Sequence, residues 1–168
     1  MKYIIRKAGP EDLDSVLKIY AFARRTMAQS GNPNQWGNTN PPESVLVEDI
    51  RKGQLYLMEA PTGIHGAFAL IPGEDPTYHV ICDGEWSSNS PYQTIHRLAG
   101  DGSGGIFDAC LLYCTEVSDY IRIDTHEDNR IMQHLLQKNG FTRCGVIYLA
   151  NGDPRFAYDL KKERSGIP

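Results

Sequence analysis

Four glycines fall within six residues of the segment HRLAGDGSGGIF, residues 96–107. They follow an apolar run and directly precede a helical pattern that begins at Ile106. Backbone N–H groups at the start of a helix attract phosphate, and glycine lets a ligand approach the backbone closely. A glycine turn without a ligand is the alternative. The segment predicts a pyrophosphate-binding loop, with amides from Gly102, Ser103, Gly104, Gly105, Ile106 and Phe107.

Two histidines in strand-like segments could move a proton near neutral pH, because imidazole has a pKa of about 6.5. His96 lies within YQTIHRLA, and His126 follows YIRIDT. His96 could instead bond a neighbouring strand side chain, and His126 could cap the next helix. A third candidate is Trp36 in the polar loop NPNQWGN, which is expected to pack either on the domain or on a substrate under the loop. His96 and His126 are therefore candidate bases, and Trp36 is a candidate substrate-binding residue.

Charge and cysteine content disfavour several function classes. A formal net charge of −4 and a pI near 5.7 disfavour a nucleic-acid partner, which usually needs a basic face. No apolar segment is long enough for a signal peptide or a bilayer span, so we expect a cytoplasmic protein with no membrane partner. The four cysteines form no C-x-x-C pair and are expected to be reduced core residues, not metal ligands. One domain over residues 1–168 is expected.

Hydrophobic periodicity predicts the element order β-α-α-β-β-β-α-β-α-β-β. The clearest helix is EDLDSVLKIYAFARRTMAQ, in which Leu13, Val16, Leu17 and Tyr20 share one face. A loop over 30–43 and the short helix ESVLVEDIRKG follow, then a hairpin of QLYLMEA and IHGAFALI that TYHVI is expected to extend or follow. The remaining predicted elements are the strand YQTIHRLA, the helix after the glycine loop, the strand YIRIDT, the helix EDNRIMQHLLQKNG and the antiparallel strands FTRCGVIYLA and RFAYDL.

The spacing of Gly100, Gly102 and Gly105 also satisfies G-x-G-x-x-G, the pattern of dinucleotide-binding loops. Asp124 ends the next strand at about the distance expected of a ribose-binding acid. A nicotinamide-dependent oxidoreductase is therefore an alternative. The elements after the loop argue against it, because one further helix and an antiparallel pair cannot build a two-halved parallel sheet.

The ordered set of elements resembles the GNAT superfamily of acyl-CoA N-acyltransferases over essentially the whole chain. IRKAGPEDLDSVLKIY is similar to the first strand and helix of that superfamily, and DTHEDNRIMQHLLQKNGF to its fifth strand and fourth helix. The resemblance implies an α/β fold with a mixed, mostly antiparallel central sheet of about seven strands and about four flanking helices. It also implies acetyl-CoA as the cofactor. The glycine loop lacks the usual Arg or Gln, so its phosphate contacts are expected to come from the backbone.

The resemblance further implies roles for individual residues. The backbone of the fourth strand, here Leu98 and Ala99, pairs with the pantetheine arm and points an N–H at the thioester oxygen. Asn129 corresponds to an asparagine that bonds pantetheine, with a helix cap as the alternative. His96 resembles the base of arylalkylamine-type members.

The proton donor for the departing thiolate is less clear from the resemblance. Leu136 stands where a tyrosine acid is usual, which leaves Tyr148 and Tyr113 as candidates. An ordinary half-buried tyrosine is the alternative for both. A thiol with a pKa of about 8.5 is also a tolerable leaving group without an acid.

The sequence therefore predicts an acetyl-CoA-dependent N-acetyltransferase that moves an acetyl group to a primary amine of a small molecule or peptide. Direct transfer in a ternary complex is expected, because no cysteine is placed as a nucleophile. A non-catalytic GNAT-fold module that senses acyl-CoA is a further alternative, given the atypical loop and Leu136. A monomer or a homodimer is expected.

Overall fold

Seven strands form one sheet in the computed structural model, which describes residues 2–163. The order across the sheet is β1-β2-β3-β4-β5-β7-β6, and every neighbouring pair is antiparallel except β4 and β5. The predicted mixed, mostly antiparallel sheet is confirmed, and a doubly wound dinucleotide-binding sheet is excluded. The strands are β1 (Ile4–Lys7), β2 (Leu55–Ala60), β3 (Gly63–Pro72), β4 (Gln93–Gly100), β5 (Tyr120–Thr125), β6 (Thr142–Tyr148) and β7 (Pro154–Lys161).

Four α-helices cover the two faces of the sheet. They are α1 (Leu13–Gln29), α2 (Glu43–Arg51), α3 (Ile106–Val117) and α4 (Arg130–Lys138). Strand residues alternate between faces. In β3, Ala67 and Ala69 pack with the buried residues of α1 and α2, whereas Phe68 and Leu70 pack with those of α3 and α4. No helix within residues 2–163 is both long and apolar enough to cross a membrane.

The central strands β4 and β5 separate soon after they meet. They pair only at Gln93 with Ile121 and at Thr94 with Arg122. Beyond Thr94, β4 stays bonded to β3 as far as Gly100, while β5 stays bonded to β7. A cleft therefore opens in the middle of the sheet.

A β-bulge near Arg97 marks the strand that borders this cleft. The register between β3 and β4 shifts there, and Arg97 has a φ of +55°. Two contacts hold the bulge in place. Tyr20 of α1 donates a hydrogen bond to the Arg97 carbonyl, and the Arg97 guanidinium donates two bonds, of 2.8 and 2.9 Å, to the buried carboxylate of Asp49 in α2.

Two predicted elements differ in the structure. TYHVI is not a strand: Pro76–Tyr78 forms a 3₁₀ turn, because Pro76 cannot donate to a ladder and the Asp75 side chain accepts the Thr77 N–H. After it, only Cys82 forms an isolated bridge. Helix α4 begins at Arg130 instead of in the preceding acidic run, because the Asn129 side chain accepts the Met132 N–H at 3.1 Å.

Candidate active site

Two cavities lie where β4 and β5 diverge. The glycine-loop cavity has a volume of about 650 Å³ and extends between α1, the start of α3 and the start of α4. The His96 cavity has a volume of about 430 Å³ and is lined in part by residues of the 30–43 loop. Met27, Leu98, Asn129 and Met132 line both, so molecules held in the two cavities would meet there.

The glycine loop presents backbone N–H groups to the first cavity. No side chain caps α3, and the first bond of the helix is from the Ala109 N–H to the Gly105 carbonyl. The N–H groups of Ile106, Phe107 and Asp108 are therefore without an intrahelical acceptor. All three residues line the cavity. Free N–H groups at the start of a helix can bind an anion, which is the role that the sequence predicts for this segment.

Of the six residues predicted to bind pyrophosphate, five line the cavity: Gly102, Ser103, Gly105, Ile106 and Phe107. Gly102 and Gly105 have positive φ angles of +90° and +81°, which L side chains rarely adopt. Gly104 has no part in the lining within the described residues, and its carbonyl accepts a bond of 2.7 Å from Tyr3.

Polar contacts behind the loop fix its shape. His65 Nδ1 lies 2.7 Å from Asp101 Oδ2, and the other oxygen of Asp101 accepts the Ser103 N–H at 3.0 Å. Thr62 contacts the second ring nitrogen of His65. No sequence pattern points to His65, because it lies 36 residues from Asp101. The loop is therefore held in place before any ligand arrives.

The second cavity contains His96 paired with Asp75. His96 Nε2 lies 2.8 Å from Asp75 Oδ2. Burial acts to raise the pKa of Asp75, but hydrogen bonds from His96 and Thr77 outweigh it and lower that pKa to about 2. The carboxylate is ionised at neutral pH and can only accept, so Nε2 carries the proton and Nδ1 keeps the lone pair in neutral imidazole. His96 has the form of an oriented base.

The His96 cavity is also lined by Asp124, Arg155 and Trp36, and of these the sequence predicts only Trp36 as a substrate-binding residue. Asp124, considered earlier only as a ribose ligand, accepts a 2.6 Å bond from the Tyr78 hydroxyl. Arg155 of β7 also lines the cavity although it is 4% exposed. Trp36 lines it too, while its ring packs on Tyr20 with 5.7 Å between centroids. Trp36 therefore contacts the core and the cavity at once.

Asn129 caps α4 and also borders both cavities. Its Oδ1 accepts the Met132 N–H, and its Nδ2 donates to Gln35 Oε1 at 3.0 Å. The same Gln35 oxygen accepts from Asn32 Nδ2 at 3.0 Å. Gln35 thus ties the 30–43 loop to the start of α4. The only sequence signal for it was its place beside Trp36.

Several candidate residues lie away from both cavities. The His126 ring accepts the Asp128 N–H through Nδ1 at 3.0 Å, which is a helix-start contact. Tyr148 is 49% exposed at the end of β6. Tyr113 packs its ring on Tyr56, with 5.1 Å between centroids, and Leu136 is fully buried in the core. None of these four lines either cavity within the described part of the chain.

The four cysteines are free thiols, and none lines either cavity among the residues described. Burial raises the pKa of Cys110 well above its usual value, and it raises that of Cys144 to about 11. Thiols of this kind are poor nucleophiles near neutral pH. Within residues 2–163, no group of three or more His, Cys, Asp or Glu side chains is arranged to hold a metal ion.

Comparisons with known proteins place the chain in a family. No family model matches the sequence, and no curated protein matches it either. An acetyltransferase of the GNAT family from Streptococcus agalactiae is 30% identical, with 96% of each chain covered and a TM-score of 0.87.

More distant structures share the fold. A GNAT-family acetyltransferase from Bacillus cereus is 20% identical, covers 98% of this chain and 100% of its own, and has a TM-score of 0.65. The NatC complex bound to Gag peptide and CoA contains a chain that is 15% identical, with 97% and 100% coverage and a TM-score of 0.61. On its identity and near-complete overlap with the Streptococcus agalactiae protein, this chain belongs to the GNAT family of acetyltransferases.

Proposed function

We propose that the protein is an acetyl-CoA-dependent N-acetyltransferase that transfers the acetyl group directly to a primary amine. The observation that carries this proposal is the position of the His96–Asp75 pair. It lies in a cavity that meets the glycine-loop cavity at Leu98 and Asn129. A base in one cavity can thus act on an amine that faces a thioester held in the other.

The glycine-loop cavity has the properties that coenzyme A requires. Uncapped N–H groups at the start of α3 suit the pyrophosphate, and the exposed backbone of Gly102 and Gly105 allows close approach. Leu98, Ala99 and Asn129 line the glycine-loop cavity, and Leu98 and Asn129 also line the His96 cavity, so a pantetheine arm beside them would lead from the loop toward His96. The CoA-bound NatC structure, which shares the fold, supports this assignment.

Residues of the His96 cavity then accept the proton that the amine loses. Acetyl-CoA, when bound, supplies an acetyl thioester that an amine nitrogen can attack. His96 takes the proton that the amine loses, directly or through a water molecule, and Asp75 stabilises the resulting imidazolium. Near Leu98 and Ala99, β4 has no strand on the side away from β3. A backbone N–H on that side would stabilise the negative charge that develops on the thioester oxygen. No acid is needed for the thiolate, whose conjugate thiol has a pKa of about 8.5.

Among the candidate catalytic residues, the geometry favours His96. His126 uses its ring for a helix-start contact, and Tyr148 is half exposed to solvent. The buried thiols of Cys110 and Cys144 support direct transfer over an acetylated cysteine.

A two-step experiment tests the proposed function. Thermal unfolding is first measured with acetyl-CoA, with coenzyme A and with NAD, and only the first two should stabilise the protein. Primary amines are then screened for release of free thiol from acetyl-CoA, and a product carrying one added acetyl group should appear. Stabilisation by acetyl-CoA without acetylation of any amine would favour a sensing module instead.

A further inference from the structure

Arg155 is a buried cation with no ion pair in the described part of the chain. It lines the His96 cavity and is 4% exposed. Nη1 donates to the Pro154 carbonyl at 2.8 Å, and Nη2 donates to the Gln35 carbonyl at 3.2 Å. Guanidinium has five N–H donors, so three have no acceptor among residues 2–163. Burial of a charge costs free energy unless the charge is compensated, so Arg155 needs an explanation.

The other buried arginine among the described residues, Arg122, shows one way in which such a charge is compensated in this chain. Arg122 lies between the rings of Trp86 and Tyr92, 4.1 and 4.0 Å from their centroids. Aromatic faces stabilise a cation that has no carboxylate partner. Arg155 has neither an aromatic ring over it nor a carboxylate within 4.0 Å in the residues described. Apart from two backbone carbonyls, no described group therefore compensates its charge at contact distance.

The nearby acids do not satisfy Arg155 either. Asp124 lines the same cavity, but its bonded partner is the Tyr78 hydroxyl. Asp153 is exposed and bonds Asn151. Burial lowers the pKa of Arg155, and these two carboxylates act in the opposite direction from beyond contact distance. Arginine stays protonated in proteins, so the cavity presents a positive charge with free donors.

We propose that Arg155 binds a carboxylate of the acetyl acceptor, so that the substrate is a small amino acid or an ω-amino acid. This inference rests on the proposed function. The planar fork of arginine matches a carboxylate with two parallel hydrogen bonds. At about 30 Å³ per water-sized group, the cavity holds on the order of a dozen non-hydrogen atoms. One small molecule can therefore lie between Arg155 and His96, which line the same cavity, with its amine toward Nδ1 of His96 and its carboxylate toward Arg155.

Matched acceptors test this assignment. Common α-amino acids and ω-amino acids of increasing chain length are each compared with their own carboxamide, by release of free thiol from acetyl-CoA. At least one acid should exceed its amide in kcat/KM by about tenfold or more. Arg155→Gln should lower kcat/KM for that acid by about 10- to 100-fold and lower that of the amide much less, so that the preference for the acid over the amide falls to about threefold or less. Arg155→Lys, which keeps the charge, should retain part of the preference.

A competition assay on the unmodified protein gives an independent readout if Arg155→Gln does not fold. Simple alkanoates should compete with the amine acceptor, and alcohols of equal length should not. Equal rates for acids, amides and plain amines, or equal losses for acid and amide in Arg155→Gln, would overturn the inference and leave the proposed function standing. If no amine of any class is acetylated, the proposed function itself fails, and this inference with it.

Discussion

His96 and Asp75 form a hydrogen bond of 2.8 Å that fixes which ring nitrogen carries the proton. The carboxylate also accepts from the Thr77 backbone and hydroxyl, so it cannot turn away from the ring without losing three bonds. The orientation of the imidazole is therefore set by the turn that follows β3.

Replacing His96 tests the assigned base. His96→Ala should lower kcat/KM by about 10²- to 10⁴-fold, the usual share of general base catalysis. The loss should shrink as pH rises toward the pKa of the amine, about 10, because free amine then becomes abundant. Affinity for acetyl-CoA should change little, since His96 does not line the glycine-loop cavity. Steady-state kinetics across pH, together with calorimetric titration of acetyl-CoA, measure both quantities.

His126→Ala is the matched control, because this histidine is also part-buried but lines neither cavity and accepts a hydrogen bond at a helix start. It should keep near-normal activity. An inactive His126→Ala beside an active His96→Ala would move the base to the end of β5.

Asp75→Asn tests how the carboxylate contributes to stability. The folded-state pKa of Asp75 is about 2, below its ordinary value of 3.8. Such a group stabilises the fold at pH above 3.8, and that stabilisation is lost as pH falls toward 2. The variant should lose about 2 kcal/mol of unfolding free energy at neutral pH, and the difference from wild type should shrink below about pH 4. Urea unfolding at a series of pH values measures it.

The exposed neighbour Glu74 supplies the control for this experiment, and Glu74→Gln should leave stability nearly unchanged. A stability difference for Asp75→Asn that stays constant from pH 7 to about pH 3 would show that the carboxylate is not held ionised by its partners.

Substitutions at the adjacent residues Gly104 and Gly105 test whether coenzyme A binding depends on the backbone conformation at the start of α3. Gly105 has a φ of +81° at the start of α3, so Gly105→Val should strain the turn by about 1–3 kcal/mol and displace the helix N–H groups. The Kd for coenzyme A should rise at least about tenfold by calorimetry. A Cβ at Gly104 meets nothing within 4 Å, so Gly104→Val should bind like the wild type. If the two variants bind equally well, the pyrophosphate does not sit on these amides.

Gln35 should be essential for the position of the 30–43 loop. Gln35→Leu removes the oxygen that accepts from Asn32 and Asn129. Because Asn32 is buried, the lost acceptor should cost about 1–3 kcal/mol. The Tm should fall by several degrees, and Asn34→Ala, an exposed substitution in the same loop, should not change it. Equal Tm values for the two variants would contradict the assigned role.

Direct transfer predicts that the protein carries no acetyl group between turnovers. Incubation with acetyl-CoA in the absence of an amine should leave the intact mass unchanged, because the buried thiol of Cys110 is held protonated. An added 42 Da on a cysteine peptide, the mass that an acetyl group adds, would establish a covalent route.

Most of the fold could be predicted from the sequence, because its helices and strands have clear local patterns. Helix α1 has a long apolar face, and the hairpin of β2 and β3 has a clear turn at Pro61 and Thr62. The prediction of a strand at TYHVI is wrong, although its β-branched and aromatic residues are typical of strands. A proline and the local bonds of Asp75 instead turn the backbone there.

The candidate site could be predicted only in part, because some of its residues lie far apart in the sequence. The glycine loop is contiguous, so its spacing is visible in one segment. Asp75 and Arg155 join His96 only after the chain has folded, from 21 and 59 residues away. In the sequence, Arg155 follows a turn and reads as an exposed charge. No local pattern reports that it is buried beside a cavity.

The early separation of β4 from β5 gives this sheet an inner edge as well as its two outer ones. The backbone of β4 beyond Thr94 has no strand on that side. An open edge at the rim of a protein can template aggregation. This one lies inside the molecule, where residues of α1 and α4 line the cavity beside it. Its donors and acceptors remain available only to a slender ligand with amide groups of its own, which can add itself as a partial eighth strand.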